Sequence, residues 1–567
     1  MKKKNKKITT RKREGTSKAP ALTFSSFGFV VGLLILCTQP LNDIFTAYYY
    51  SNTLLYDIIS ERSFEILNMT TGLGIVMLSG AVFLNTCFFR QRSDTFLSDT
   101  YTRILVILLG AFIALALYSC FHKYLHNDEI EHIHSAWYVK NGFIPYKEFF
   151  QHHHPLLWYT IAPLLSVFGD TLTAVLASRF VMGMAMLGIA YCTYLTATVV
   201  TQSKEKGLVS VVLLFSSLIY LEKAIEVRPD IPQVLFAMVS VYCLFRFLRD
   251  RKETFLLFSG LAAGVSFLYL QKTLFLLIAY ALIFLYGLYK KEIRIRSAAI
   301  FASGLLPLLL AFLLFMGSNG ALHDYYLTNW ELNLHHFGSD TISLKMVRPF
   351  FHFLGKYFLL VIVVAPPLIL LFISKKTPRE VKLISFLAVA ELFSIKIFSV
   401  NYKHFYLFAL PLLCIPVSHY CVDMLDFFKT SHTNRIALFC LLFIGASPFL
   451  VINSLHSNRM QFEKIRYVLD STKETDLVYD GANAFNLFRP DVHYFWYQLK
   501  VGLSTYNRLT GNKYGDFDMC RLIRHKKPKI ISRNLLDYDA CGLWSLYDET
   551  PYKYTYIRRD QAGRSGE

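Results

Sequence analysis

The densest group of side chains able to do chemistry lies between Leu125 and Pro155. It sets Asp128 beside Glu129, follows them with Glu131, His132 and His134, and ends in the triple histidine His152, His153 and His154. A carboxylate within reach of a hydroxyl can take its proton, and a cation beside a phosphate stabilises the charge that phosphate gains on leaving. Spacing alone favours a plainer role. Asn127 or Asp128 would be the N-cap of a helix, the acids would sit on the positive end of its dipole, and Gly142 would stop it.

Polar residues elsewhere add to the first reading. Arg228, Pro229 and Asp230 open an apolar run, and Lys272 interrupts the apolar stretch from Phe267 to Phe284. An ionised lysine in hydrocarbon costs about 2.5–3.5 kcal/mol, so it is paired, faces a cavity, or snorkels to the interface. His335 with His336, and Lys403 with His404, add basic groups. Together they describe carboxylates ringed by cations, suited to deprotonating a hydroxyl while an anionic phosphate leaves. That chemistry requires groups far apart in the chain to meet in one pocket.

The elements that must position them are membrane helices. Of the 567 residues 54% are hydrophobic and 16% aromatic, and the mean hydropathy is +0.37, beyond what a soluble core needs. Apolar runs able to cross about 30 Å of hydrocarbon recur near 23–41, 70–89, 102–121, 172–200, 208–222, 231–248, 254–270, 273–289, 297–316, 353–373, 381–398, 405–422 and 435–453. They predict an all-α polytopic membrane protein of about thirteen transmembrane helices. The first run follows a tail rich in Lys and Arg but no small-x-small cleavage site follows it, so it reads as a retained helix rather than a signal peptide.

With that tail in the cytoplasm, the loops assigned inside (88–92, 204–206, 246–252, 290–296, 375–379 and 423–435) are the basic ones. The outer segments (121–155, 222–230, 317–349 and 401–405) are mixed, aromatic and rich in histidine. Parity and charge agree, and they put the whole candidate cluster on the non-cytoplasmic side. Distributed this way, the net charge of +19 sets orientation and gives no ground for a nucleic-acid partner.

Beyond Asn453 the apolar runs stop. Residues 454–567 read as a small α/β domain with strands at Asp476–Tyr479 and Lys529–Ser532 and through the alternating Tyr552, Tyr554 and Tyr556. Eight of the ten cysteines lie in or beside apolar runs. Cys520 and Cys541 lie in the polar C-terminal region, where a disulfide is open to them if that region is outside the cytosol.

An Asp-Glu pair just after a span, then Gly142-x-x-Pro145-Tyr146, a basic-Pro-Leu element at His154-Pro155-Leu156, and Arg228-Pro229-Asp230 beyond a helical hairpin together resemble the GT-C glycosyltransferases. The likeness is nearest to the branch holding the protein O-mannosyltransferases, the lipid A aminoarabinose transferase and the bacterial dolichyl-phosphate-mannose mannosyltransferase-like proteins. It covers roughly Tyr101 to Asn453, with the first two spans an addition. The domain plan it implies is a basic cytoplasmic tail (1–22), two additional transmembrane helices (23–100), a GT-C-like catalytic core (101–453) with an outer loop at 122–171, and an extracytoplasmic α/β domain (454–567).

The resemblance implies a sugar donor linked to polyprenyl phosphate, undecaprenyl phosphate in a bacterial inner membrane, and a hydroxyl acceptor on a glycolipid, a cell-surface glycan or a protein. Asp128 would be the general base, or the carboxylate that aligns the acceptor hydroxyl, supported by Glu129 through acceptor contacts or a metal. Asp230 would be a second acid, sharing a divalent ion (Mg, Mn or Zn) with Asp128 and His153. Lys272 would lie near the carrier phosphate, joined there by Arg228, Lys403 and His404. Where the family carries Lys-Pro-Pro or His-Pro-Pro, this chain has His153-His154-Pro155, so a histidine would supply that cation. The reaction would be one inverting displacement at the anomeric carbon. A multi-span lipid or sugar transporter, and a scaffolding subunit, are the readings from other classes.

Overall fold

The computed structural model describes residues 100–337, 376–397, 402–431 and 458–559, the last with short gaps, plus single turns within 369–374 and 434–442. The expected spans near 23–41, 70–89, 353–373 and 435–453 fall wholly or mostly outside these residues. The chain divides into two compact units, residues 1–111 with 432–448 and residues 112–431 with 449–567. In the first, Tyr101 packs on Phe439 with ring centroids 6.2 Å apart. The second carries the site.

In chain order the first helices are α1 (Thr100–His122), α2 (Asn127–Lys140), α3 (Leu156–Phe168), α4 (Leu172–Thr201), α5 (Lys204–Phe215) and α6 (Leu218–Lys223). Next come α7 (Asp230–Asp250), α8 (Thr254–Tyr269), α9 (Thr273–Tyr289) and α10 (Ile295–Ser318). A bent segment follows: α11 (Leu322–Tyr326), a π-helical turn (Leu327–Glu331) and α12 (Leu332–Phe337). Then come α13 (Arg379–Ile397), a 3-10 turn (Lys403–Tyr406) and α14 (Ala409–Phe427). Among the described helices α1, α4, α7, α10 and α14 are long and apolar enough to cross a membrane. On α10 the side chains of Leu306, Leu310, Leu313 and Leu314 are exposed, as expected of a helix that faces lipid.

Two sequence expectations need correction. The run at 208–222 is not one helix: α5 ends at Ser216, whose hydroxyl donates back to the Val212 carbonyl at 2.8 Å, and α6 starts anew after Ser217. Adjacent serines compete with the backbone for hydrogen bonds and so favour a break. Leu156–Phe168, read as part of an outer loop, is the apolar helix α3 of 13 residues.

Small residues and polar pins fix the bundle around the site. Gly260 of α8 faces Gly304 of α10, and Gly264 lies against Leu305 and Leu308. A Cβ at Gly260 would run into the Phe301 carbonyl oxygen and one at Gly304 into that of Leu257, so this close crossing requires glycine. Ser266 of α8 donates to the Gln233 carbonyl of α7 at 2.8 Å, and the Gln233 amide donates to Thr273 of α9 at 3.1 Å. These bonds set the start of α7, where Asp230 lies, against the start of α9, where Lys272 lies.

The C-terminal part contains α15 (Arg459–Asp470), α16 (Val501–Leu509) and α17 (Met519–Lys526) around a four-stranded sheet. Its strands β1 (Val478–Tyr479), β2 (Ile530–Ser532), β3 (Tyr547–Glu549) and β4 (Thr555–Arg558) lie in the order β1-β2-β4-β3; β1 and β2 are parallel and the other pairs antiparallel. The tyrosine alternation misled: Tyr554 has φ +61° in a turn, only Tyr556 belongs to β4, and its neighbour β3 was not foreseen. Cys520 and Cys541 form a disulfide with Cα atoms 5.1 Å apart. The domain is clasped to α2 through His134, which is fully buried; its Nε2 lies 2.6 Å from Asp491 Oδ2 and its Nδ1 3.0 Å from the Leu487 carbonyl.

Candidate functional site

The site begins at the cap of α2. The His126 ring accepts from the Asp128 backbone N–H at 3.3 Å, and the Glu129 carboxylate accepts from the His126 N–H at 2.9 Å, a reciprocal capping box. The cap thus falls one residue before Asn127. Asp128 is relieved of capping duty and its side chain lines a cavity of about 560 Å³.

Glu129 turns the other way. It is fully buried, and its oxygens accept from Arg179 Nε at 2.8 Å, Arg179 Nη2 at 2.6 Å, the Val227 N–H at 3.0 Å and His126. Arg179 itself donates to the carbonyls of Cys120, Lys123 and Tyr124. With four donors on two oxygens, no acceptor capacity is left for a substrate or a metal. Glu129 ties α2, α4 and the segment before α7 together.

Into the cavity with Asp128 come Asp230, Arg228, Lys272, His153, Lys403 and His404. Arg228 Nη1 donates to Asp128 Oδ2, and Arg228 Nε lies 3.4 Å from Asp230 Oδ2. Lys272 Nζ donates to Asp230 Oδ1 at 3.2 Å and sits 3.7 Å from the centre of the Phe405 ring. At the rim Lys403 pairs with Glu222 at 2.7 Å, and Lys223 pairs with the buried Glu226 at 2.9 Å. Burial alone would raise the Asp128 carboxyl, but Arg228, helped by His126, holds it well below the usual carboxylate range.

The histidines do not supply the expected cation. His154 does not line the cavity: Nδ1 lies 2.5 Å from the Phe267 carbonyl, Nε2 lies 3.0 Å from the Tyr325 hydroxyl, and burial pushes the ring down to about 4. That pattern fits a neutral ring donating at one nitrogen and accepting at the other. His153 does line the cavity, but burial, then the neighbouring His152 and His132, hold it well below its ordinary value. Burial, then Arg228, do the same to His404. The charged donors are therefore Arg228 and the lysines. His335 and His336 lie on α12, with side chains outside the described residues.

This geometry can be set beside known proteins. A family model described as dolichyl-phosphate-mannose-protein mannosyltransferase matches residues 152–316. The structure of ArnT from Cupriavidus metallidurans bound to undecaprenyl phosphate is similar over 81% of this chain and 99% of that chain, with a TM-score of 0.60 and 10% identity. The same protein in its apo state gives 0.59 and 11%, over 81% of this chain and 98% of that one. The chain has the ArnT-type GT-C fold. The resemblance read from the sequence therefore holds, with the family match confined to 152–316 and the ArnT likeness one of fold. The S. cerevisiae Pmt1-Pmt2 protein O-mannosyltransferase complex bound to its sugar donor aligns over 44% of this chain and 38% of that one, at 18% identity and a TM-score of 0.33, too low to weigh. No curated protein sequence matches the chain.

The residues that could hold a metal are not the set expected from the sequence. Asp128 and Asp230 are taken up by Arg228 and Lys272, whereas Glu131, His132 and His153 bring ligand atoms within 4.8 Å of one another. A carboxylate with two neutral imidazoles suits zinc or manganese. Trp158 donates to His132 Nδ1 at 3.3 Å, favouring the tautomer with its proton on Nε2, so Glu131 and His153 are the better ligands. Sequence reasoning also passed over Gln271, Asn329, Trp330 and Asn333, which line the same cavity. Nothing in their spacing marked them, though Gln271 stands beside the Lys272 that was noticed.

Proposed function

We propose that the chain is a membrane glycosyltransferase that moves a sugar from a polyprenyl-phosphate donor to a hydroxyl on a glycolipid, glycan or protein, with inversion. The observation that carries this reading is Arg228 placed between Asp128 and Asp230, with Lys272 alongside, in one cavity. The solved structure of ArnT with undecaprenyl phosphate supports a polyprenyl-phosphate carrier on this fold.

The donor phosphate competes with Asp128 for Arg228 and with Asp230 for Lys272. As Arg228 turns to the phosphate, Asp128 loses the cation that depressed its basicity and becomes able to accept the acceptor's proton. The acceptor oxygen then attacks the anomeric carbon, the bond from that carbon to the phosphate oxygen breaks, and its electron pair leaves on the phosphate, stabilised by Lys272 and Arg228. Asp230 anchors Lys272, and Lys403 and Lys223 flank the mouth. Glu131 and His153, with His132 beside them, would hold a divalent ion, which would add positive charge near the transferred group.

The site faces away from the cytoplasm in the topology read from loop charge, and the Cys520–Cys541 disulfide favours the same placement of the C-terminal domain. Incubating membranes with labelled lipid-linked sugars and following the product by mass tests the reading. Transfer that depends on this protein is expected; transport of the lipid without transfer would refute it.

A further inference from the structure

The loop that leads into the triple histidine is held from the C-terminal domain. The Tyr494 hydroxyl donates to the Tyr146 carbonyl, the Phe150 N–H donates to the Tyr494 carbonyl at 3.1 Å, and Trp496 Nε1 donates to the Phe150 carbonyl at 3.2 Å. The Tyr146 hydroxyl in turn donates to the His153 carbonyl at 2.6 Å, an oxygen that also accepts from Asn329 Nδ2 at 3.3 Å. Tyr146 is fully buried and has φ +69°. That left-handed conformation is unfavourable for an aromatic residue and persists only where neighbours over-determine it, as they do at many active sites.

The bonds form one path. Tyr494 fixes the backbone of Tyr146 in its turn, the turn aims the Tyr146 hydroxyl, and that hydroxyl fixes the backbone of His153, whose side chain lines the cavity. His153 Nδ1 is buried without a hydrogen-bond partner among the described residues, so the ring takes its place from the tethered backbone and from the rings of His152 and His132, at 4.0 and 5.4 Å. We propose that Tyr494 and Tyr146 are positioning residues for sugar transfer: they hold His153 on the cavity wall without touching substrate, and the C-terminal domain thereby completes the active site. The proposal rests on the glycosyltransferase reading above and adds residues that act through His153.

The test compares full-length wild type, Tyr494→Phe, Tyr146→Phe and the double variant, each change removing only a hydroxyl. Affinity for undecaprenyl phosphate reports Arg228 and Lys272 and shows that the site is folded; turnover is followed in membranes with labelled lipid-linked sugars. Each single variant should lower kcat by about five- to tenfold, with KM for the lipid-linked sugar and affinity for undecaprenyl phosphate unchanged. The double variant should be no slower than the slower single, because both hydroxyls lie on one path. The role is overturned if both single variants turn over like wild type, if turnover and undecaprenyl-phosphate affinity are lost together, or if the double variant shows the product of the two single losses. If wild type itself transfers no sugar, the glycosyltransferase reading fails and this role with it.

Discussion

The Arg228 guanidinium donates to the Asp128 carboxylate across a hundred residues of sequence, joining the start of α2 to the start of α7. The pair keeps Asp128 ionised and weakly basic until something else claims Arg228. On the proposed reaction that competitor is the donor phosphate, so donor binding itself activates the base.

A change of pH dependence follows. Removing the cation by Arg228→Gln leaves burial as the dominant influence on Asp128, and burial raises a carboxyl. The acid limb of kcat/KM against pH, which reports the free enzyme, should therefore move upward, with activity falling as pH drops through the raised value. An acid limb that stays in place would show that Arg228 does not set the state of Asp128.

Glu129 and Arg179 should behave as a structural pair. Both side chains are fully buried and joined by two hydrogen bonds, so Glu129→Gln strands a guanidinium and should cost about 3–5 kcal/mol of stability. Replacing both residues with apolar ones should be less damaging than either single change. Thermal unfolding of the four proteins checks this, and a double variant that loses the sum of the two single losses would refute the coupling.

Lys272 and His154 separate binding from structure. Lys272→Met should weaken polyprenyl-phosphate binding by about tenfold or more, since a charge-assisted contact is lost. His154→Phe should leave that affinity unchanged but lower the unfolding temperature, because the Phe267 carbonyl and Tyr325 hydroxyl lose their partner. A fall in affinity with His154→Phe at unchanged stability would restore the histidine to the phosphate site.

These contrasts mark where reading the sequence stopped. Asp128, Arg228, Asp230 and Lys272 could be picked out because charges at the ends of apolar runs are costly and few. The opposite orientations of Asp128 and Glu129, and of His153 and His154, could not, since neighbouring residues share every sequence-level property. Arg179 was the overlooked signal: it is the one charged residue in the thirty of α4, and such a residue needs a partner. The amides facing the His152 and His153 carbonyls depend on tertiary contacts without a period to detect, whereas the break at Ser216 is a local effect of adjacent serines inside an apolar run.

Metal content can be measured directly. If Glu131 and His153 hold an ion, purified protein should contain about one divalent metal per chain, and Glu131→Gln should lose it. Protein with no metal and undiminished activity after chelation would remove the ion from the account.

The most direct test of the central claim measures donor binding and sugar transfer together in wild type and Asp128→Asn. The account predicts that the variant binds the polyprenyl-phosphate sugar at least as tightly as wild type, since Asp128 no longer competes for Arg228, while transfer falls by about a hundredfold or more. Transfer at the wild-type rate by Asp128→Asn would contradict it.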